Sequence, residues 1–366
     1  QVKFPLATDA SNAAIQVLKE GEVQGSDMVA HSAGILDIKT NILPNADALF
    51  LIAIDPYGHE LWRWTFPVDK LNRETEQFSA SSGRASYTET EKGITVKANK
   101  RTFIFSKKDG QLKGVSVDNR KISFANGPRF IGARRADRSL DQFYNHDDEK
   151  AKEKDRTYSE FPDAAVFTKL DVKEEGGNLI LTANYKLGNL DKAQWTIHPD
   201  GMATLDYTYN FSGVVDLMGI CFDYPEEQVL SKRWLGAGPY RVWQNRIHGA
   251  QYDIWENDYN DPIPGETFTY PEFKGYFGSV SWMSIRTKEG TISLTNETPD
   301  SYIGVYQPRD GRDRLLYTLP ESGISVLDVI PPVRNKVNST DLCGPSSQPK
   351  WVNGPQTGRI IFRFME

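Results

Sequence analysis

Pro199-Asp200-Gly201-Met202-Ala203-Thr204-Leu205-Asp206-Tyr207-Thr208-Tyr209-Asn210-Phe211 is the stretch that decides the fold. A turn-forming Pro-Asp-Gly is followed by Ala203, Leu205, Tyr207, Tyr209 and Phe211, five apolar positions at strict period two. That is the repeat of a strand with one buried and one wet face. Working outward, Ile94, Val96 and Ala98 alternate in the same way. Phe103-Ile104-Phe105 then leads to Asp109-Gly110, the strongest short hairpin signal, with Leu112 and Val115 beyond it. Helical period is scarce: only Ala13 to Leu18 and the charged stretch Asp147 to Arg156 read as short helices. The second of these is too polar to pack and fits a solvated loop or exposed helix. No repeat of fixed period marks a propeller or solenoid. The expectation is an all-β chain whose residues 93–366 form one large antiparallel sandwich.

Ahead of that sandwich, residues 1–70 read as a small β unit. Ala48 to Ile54 and Leu61 to Phe66 are separated by the turn Asp55-Pro56-Tyr57-Gly58, and Trp62, Trp64 and Phe66 fall on one face at period two. Its size is that of an immunoglobulin-like sandwich. From 71 to 92 nearly every residue is polar and no period survives, which predicts a linker.

The 366 residues are 39% hydrophobic and 25% charged, with 16 Tyr, 18 Phe and 8 Trp, a globular composition that excludes disorder as the main state. A net charge of −6 leaves no basic excess for nucleic acid or anionic lipid, so neither nucleic acid nor membrane is an expected partner. The longest apolar run, Ala48 to Ile54, is about a third of a bilayer span. The start at Gln1, without Met or signal peptide, suggests a processed form or an excised piece. Cys221 and Cys343 make neither a disulfide framework nor a zinc site. There is no nucleophile elbow, phosphate loop or paired-histidine zinc helix, and no cofactor is implied. His31, His59, His146, His198 and His248 are scattered singly. Asp253, Glu256, Asp258 and Asp261 offer oxygen ligands but lack the spacing and central glycine of a calcium loop, so a solvated acidic loop is expected and no metal.

One segment carries chemical information: Trp234-Leu-Gly-Ala-Gly-Pro-Tyr-Arg-Val-Trp-Gln-Asn-Arg-Ile-His-Gly-Ala250. Gly236 and Gly238 free the backbone, Pro239 fixes the next turn, and Arg241, Trp243 and Arg246 are expected to project flat faces and forked donors. A sugar ring, with C–H faces and a hydroxyl rim, suits such a platform. The competing reading puts Trp234 and Trp243 in the core.

The same segment resembles the last domain of the β-galactosidase-like enzymes of glycoside hydrolase family 2. Trp234, Gly236, Gly238, Pro239, Arg246, Gly249 and Ala250 match that family's run in register. Pro271, Glu272 and Gly275 echo a second family segment. The hairpin Phe103 to Val115 and the region Gly127-Pro128-Arg129-Phe130 with Arg134 resemble the start of that domain. Residues 1–70 are similar to the immunoglobulin-like domain preceding it. The resemblance implies an immunoglobulin-like sandwich followed by a large galactose-mutarotase-like supersandwich, both downstream of a catalytic barrel. That barrel, with its two catalytic glutamates, lies outside these residues, so no catalytic residue is assigned here. The chain departs from the family where Glu becomes Arg241, Tyr becomes Trp243 and Asp becomes Asn245. Two acids lost and one cation gained suggest an altered sugar, a galactoside or a uronic-acid-containing oligosaccharide whose carboxylate pairs with Arg241 and Arg246.

In the family an aromatic near the C-terminal loop reaches the barrel and stacks on sugar. Trp351, in the Pro/Gly/Ser/Asn-rich stretch 335–358 that reads as a long functional loop, is the nominee, with a buried anchor for that loop as its other reading and Trp282, Tyr252, Trp255 and Tyr259 behind it. The expected role is a non-catalytic C-terminal portion that shapes the cleft and binds carbohydrate, in bacterial periplasmic or secreted polysaccharide breakdown. Two other readings stand beside it. One is a free-standing aldose epimerase using His198 with Glu272 or Asp223. The other is an interaction module whose aromatics face another protein.

Overall fold

The computed structural model describes residues 2–3, 12–19, 21–30, 35–36, 46–68, 83–135, 158–260, 274–298, 300–306, 319–333 and 344–366. The chain divides into two compact units: residues 1–81 with 252–254, and residues 82–251 with 255–366.

The small unit contains an antiparallel sheet in the order Glu22–Ala30, Asn12–Lys19, Ala48–Ile54, Glu60–Pro67, and a separate pair, Val2–Lys3 with Ile35–Leu36. Ala13 to Leu18, expected as a short helix, is therefore part of a central strand. It pairs with Glu22–Ala30 on one side and with Ala48–Ile54 on the other. Ala14, Ile15, Val17 and Leu18 are all buried, a crowded pattern that hides period two, while the β-branched Ile15 and Val17 suit a strand. In the turn that follows Ile54, the Asp55 carboxylate accepts the Tyr57 and His59 N–H groups at 2.8 and 2.7 Å, and Gly58 takes φ 90°. Trp62 and Phe66 lie on the strand at the end of this sheet and stay exposed.

The large unit is two antiparallel sheets of eleven and nine strands among the described residues. The nine-stranded sheet runs Val166–Glu175, Asn178–Lys186, Leu190–Ile197, Ala203–Val215, Lys350–Met365, Gly290–Asn296, Trp282–Thr287, Val229–Gly238, Gln251–Asn257. The other sheet includes Gly93–Ala98, Arg101–Ser106, Leu112–Val117, Ala125–Arg135, Leu217–Asp223 and Gly323–Val329. The period-two run is realised in Ala203–Val215: Leu205, Tyr207, Tyr209 and Phe211 are buried, whereas Asn210 and Ser212 are exposed. Phe105 pairs with Leu112 across the Asp109-Gly110 turn, where Gly110 has φ 72°. The stretch expected as a linker ends in a strand, Ser86–Glu89, paired with Gly93–Ala98. All four of its residues are exposed, so no apolar period betrays it. The charged stretch 147–156 lies outside the described residues.

Aromatic rings from both sheets fill the core. Phe124 stacks on Phe222 at 4.5 Å, and Trp195 meets Phe105 and Phe222 edge-on at 6.0 Å. Burying a large apolar side chain contributes roughly 1.5–3 kcal/mol, so this layer holds the sheets together and leaves their rims to carry function.

Candidate functional site

The strand Val229–Gly238 delivers the information-bearing segment to the end of the nine-stranded sheet. Trp234 is a core residue, 1% exposed, edge-on to Phe277 at 4.9 Å, with its indole N–H donated to the Ala237 carbonyl at 3.0 Å. Gly236 and Gly238 were expected to adopt backbone geometry closed to other residues, yet neither has a positive φ. Close approach explains them instead. A Cβ on Gly238 would lie 2.4 Å from Cδ1 of Trp255, and one on Gly236 would lie 3.0 Å from the Gly278 carbonyl. The Trp255 indole N–H is shared between the carbonyls of Gly236, at 3.2 Å, and Gln251, at 3.1 Å.

Beyond Pro239 the segment meets the second family-like segment directly: Val242 N–H donates to Tyr276 O at 2.7 Å and Tyr276 N–H to Val242 O at 3.0 Å. Gly275, beside that bridge, has φ 67°, and a Cβ there would come within 2.8 Å of both the Arg241 Cβ and the Trp243 ring. Glu272 lies outside the described residues.

Arg241, expected to reach a ligand carboxylate, instead points inward and is 7% exposed. Its Nη1 donates to the Lys274 carbonyl at 3.3 Å and its Nη2 to Asn260 Oδ1 at 3.1 Å, with the guanidinium 5.0 Å over the Phe277 ring. Four further buried polar residues, none foreseen from the sequence, complete this network. Asn260 Oδ1 also accepts from Lys232 Nζ at 3.1 Å, its Nδ2 donates to Glu226 Oε1 at 2.7 Å, and Lys274 forms an ion pair with Glu226. Asn260 is the hub because its amide accepts from the two cations on its oxygen and donates to the carboxylate from its nitrogen. The signal available in the sequence was the departure at Arg241, on one of the two family-like segments that the fold sets side by side.

Trp243 is partly buried, and its carbonyl accepts the Arg246 N–H at 2.8 Å in a tight turn that leaves Arg246 at the surface. The two arginines thus part, one inside and one out. Between them, Gln244 and Asn245 fasten the segment to two others. Gln244 Nε2 donates to the carbonyls of Ser346 and Gln348 at 3.0 and 2.7 Å. Asn245 Nδ2 donates to Val333 O at 2.8 Å and to Ser347 Oγ at 3.0 Å, while its Oδ1 accepts the Val333 N–H at 2.9 Å. Three residues past Gln348 stands Trp351, 70% exposed and opposite Val214; it lies not in a long loop, as expected, but on the strand Lys350–Met365, whose half-wet face carries the polar residues that read as loop.

The other nominees are dispersed. His198 is buried, its Nε2 2.9 Å from the Thr204 hydroxyl, and burial holds its imidazole below the usual value. Asp223 pairs with Arg129 at 2.8 Å. Trp282 is buried, and Tyr252, Trp255 and Tyr259 are partly buried. Cys221 is buried beside Arg129 with its thiol pushed up by burial, and Cys343 lies outside the described residues. Among the described residues no cluster of three or more His, Cys, Asp or Glu side chains is arranged to hold a metal ion.

No curated protein matches the chain in sequence. In structure it is similar to a galactose 1-epimerase from Lactobacillus acidophilus NCFM, with 9% identity and a TM-score of 0.44 over 77% of this chain and 99% of that one. It is also similar to a mutarotase-like protein from Salmonella typhimurium, with 10% identity and a TM-score of 0.34 over 77% and 94%. Residues 97–321, which span the opening hairpin, the Trp234–Ala250 segment and its bridge partner Tyr276, match the family described as β-galactosidase small chain, and the chain belongs to that family.

Proposed function

We propose that the chain is the non-catalytic C-terminal portion of a family 2 β-galactosidase-like glycoside hydrolase, with residues 1–70 as an immunoglobulin-like sandwich. In this reading it shapes the substrate cleft of a catalytic barrel in the same full-length enzyme and contacts carbohydrate itself. The observation that carries the proposal is the fastening of residues 344–348 by Gln244 and Asn245, just ahead of the exposed Trp351. A loop held by two side-chain amides costs little to order on binding, and an indole face offers the C–H face of a sugar a flat partner. The sugar is a galactoside or a uronic-acid-containing oligosaccharide. Arg246, at the surface, is the cation that meets a carboxylate, since the Arg241 donors are engaged inside. The setting is bacterial polysaccharide breakdown in the periplasm or outside the cell.

The test is an assay of the purified chain on a panel of aryl glycosides, with thermal-shift titrations of galactosides and uronic oligosaccharides on the same sample. No turnover, with a sugar-dependent rise in melting temperature that Trp351→Ala abolishes, is expected. Hydrolysis or epimerisation at enzymatic rates would overturn the non-catalytic role, and a shift that survives Trp351→Ala would remove this strand end from the binding surface.

A further inference from the structure

The strands Ala203–Val215 and Lys350–Met365 outrun their neighbours in the nine-stranded sheet. Leu190–Ile197 pairs with the first no farther than Tyr209, and Gly290–Asn296 with the second no farther than Ile360. Past those points residues 210–215 and 350–355 pair only with each other among the described strands, in the register Asn210 with Pro355, Ser212 with Asn353 and Val214 with Trp351. Phe211, Val215 and Val352 pack on the core side of this ribbon. Alternation therefore puts Ser212, Asn353 and Trp351 together on its other face, where all three are exposed.

One hydrogen bond sets the polarity of that face: Ser212 Oγ donates to Asn353 Oδ1 at 2.7 Å. The single hydroxyl hydrogen of Ser212 is thereby used, and its oxygen keeps lone pairs to offer. The Asn353 Nδ2 keeps both of its N–H groups, since the Ser212 bond engages only the carbonyl side of the amide. The pair thus presents donors on one atom and an acceptor on its neighbour. At a rise of 3.2–3.4 Å per residue it stands about 6.5 Å along the strand from Trp351, a span that one pyranose and its rim hydroxyls cover.

That polarity discriminates between ligand groups. A sugar hydroxyl both accepts and donates, so it satisfies Asn353 Nδ2 and Ser212 Oγ at once. A carboxylate only accepts: it takes the amide hydrogens but sets its charge against the Ser212 lone pairs, or else breaks the bond between the two side chains. We infer that Ser212 and Asn353 recognise the neutral hydroxyl edge of the sugar unit seated on Trp351 and select against a carboxylate at that position. The inference rests on the reading of Trp351 as a sugar contact and narrows it. The unit over the indole is a neutral, galactoside-like sugar, and a uronic unit of the same oligosaccharide lies elsewhere.

Amide NMR titration of the full deuterated chain tests this, with methyl β-D-galactoside as the neutral probe and D-galacturonate as the charged one. The galactoside is expected to shift the backbone amides of 212–214 and 351–354 and the side-chain amide of Asn353, and to bind more tightly than the galacturonate. Asn353→Ala and Ser212→Ala change exposed side chains and keep the fold. Each is expected to weaken galactoside binding about three- to ten-fold, the loss of one hydrogen bond, and to narrow the preference over galacturonate, which the whole-chain charge alone would leave unchanged. If Trp351→Ala abolishes binding while both other variants keep the parent's affinity and preference, the role of the pair is overturned and the Trp351 reading stands. Tighter binding of galacturonate by the parent would overturn the selectivity in the same way. No shift at these residues with either probe would overturn both readings together.

Discussion

The Asn245 side chain bonds both backbone groups of Val333, giving its Nδ2 hydrogen to the carbonyl at 2.8 Å and taking the N–H on Oδ1 at 2.9 Å. An amide thereby plays the part of a neighbouring strand for one residue. Where the related family run has Asp, a carboxylate could accept the N–H but would face the Val333 carbonyl with no hydrogen to give.

Asn245→Asp is therefore expected to loosen this junction while leaving the sandwich folded. Losing the donor to a partly buried carbonyl costs about 1–3 kcal/mol. Hydrogen exchange should accelerate at the Val333 amide and at the non-proline amides of 344–350, with protection unchanged in the strand Ala203–Val215. Uniform acceleration in both places would mean that Asn245 supports the whole unit and not a local junction.

The ion pair of Glu226 with Lys274 makes a second prediction, because both side chains are 5% exposed or less. Lys274→Met leaves Glu226 buried without its cation, and removing one partner of such a pair typically costs about 3–5 kcal/mol. Adding Glu226→Gln removes the stranded charge, so the double variant should be more stable than Lys274→Met alone. Urea unfolding of the two variants measures this, and additive losses would show that the two groups act independently.

How far these features could be read from residues alone depended on whether they obey a period. Leu205, Tyr207 and Tyr209 alternate cleanly because one face of their strand is wet, and Asp109-Gly110 announces its own turn. Asn12–Lys19 escaped because Ile15, Val17 and Leu18 crowd both faces of a central strand, and Ser86–Glu89 because both of its faces are wet. In the candidate site, residues alone left Trp234 between platform and core and Trp351 between sugar contact and buried anchor; the fold buries the first and exposes the second. Arg241 was not legible, since a guanidinium reads as exposed until its partners are known. Glu226 and Lys274 are 48 positions apart, and only the folded register joins them.

Close packing at Gly238 makes a third prediction. A Cβ there would stand 2.4, 2.6 and 2.7 Å from three atoms of the Trp255 ring. Gly238→Ala must displace the indole and break its hydrogen bonds to Gly236 and Gln251, an overpacking change that typically costs about 1–3 kcal/mol. Tryptophan fluorescence should shift together with stability. A variant with native emission and native melting would mean that the ring moves aside freely.

Asp328 makes one contribution to the pH dependence of stability. It accepts a hydrogen bond from Tyr209, yet burial lifts its carboxyl above the ordinary 3.8, the Tyr209 bond offsetting only part of the rise. The folded protein therefore holds the Asp328 proton more tightly than the unfolded chain does. Stability from this group is fully present below about pH 3.8 and is lost as pH rises through the folded value. Asp328→Asn keeps an acceptor for the Tyr209 hydroxyl and cannot ionise, so it should flatten that decline and leave the protein at pH 7 at least as stable as the parent. Asp328→Ala strands the hydroxyl instead and should cost about 1–3 kcal/mol at every pH. Melting curves from pH 4 to 8 separate the cases, and an unchanged slope in Asp328→Asn would assign the pH dependence to another group. His198 is the group to examine next, because its depressed imidazole gives a slope of opposite sign, with stability lost as pH falls below 6.5.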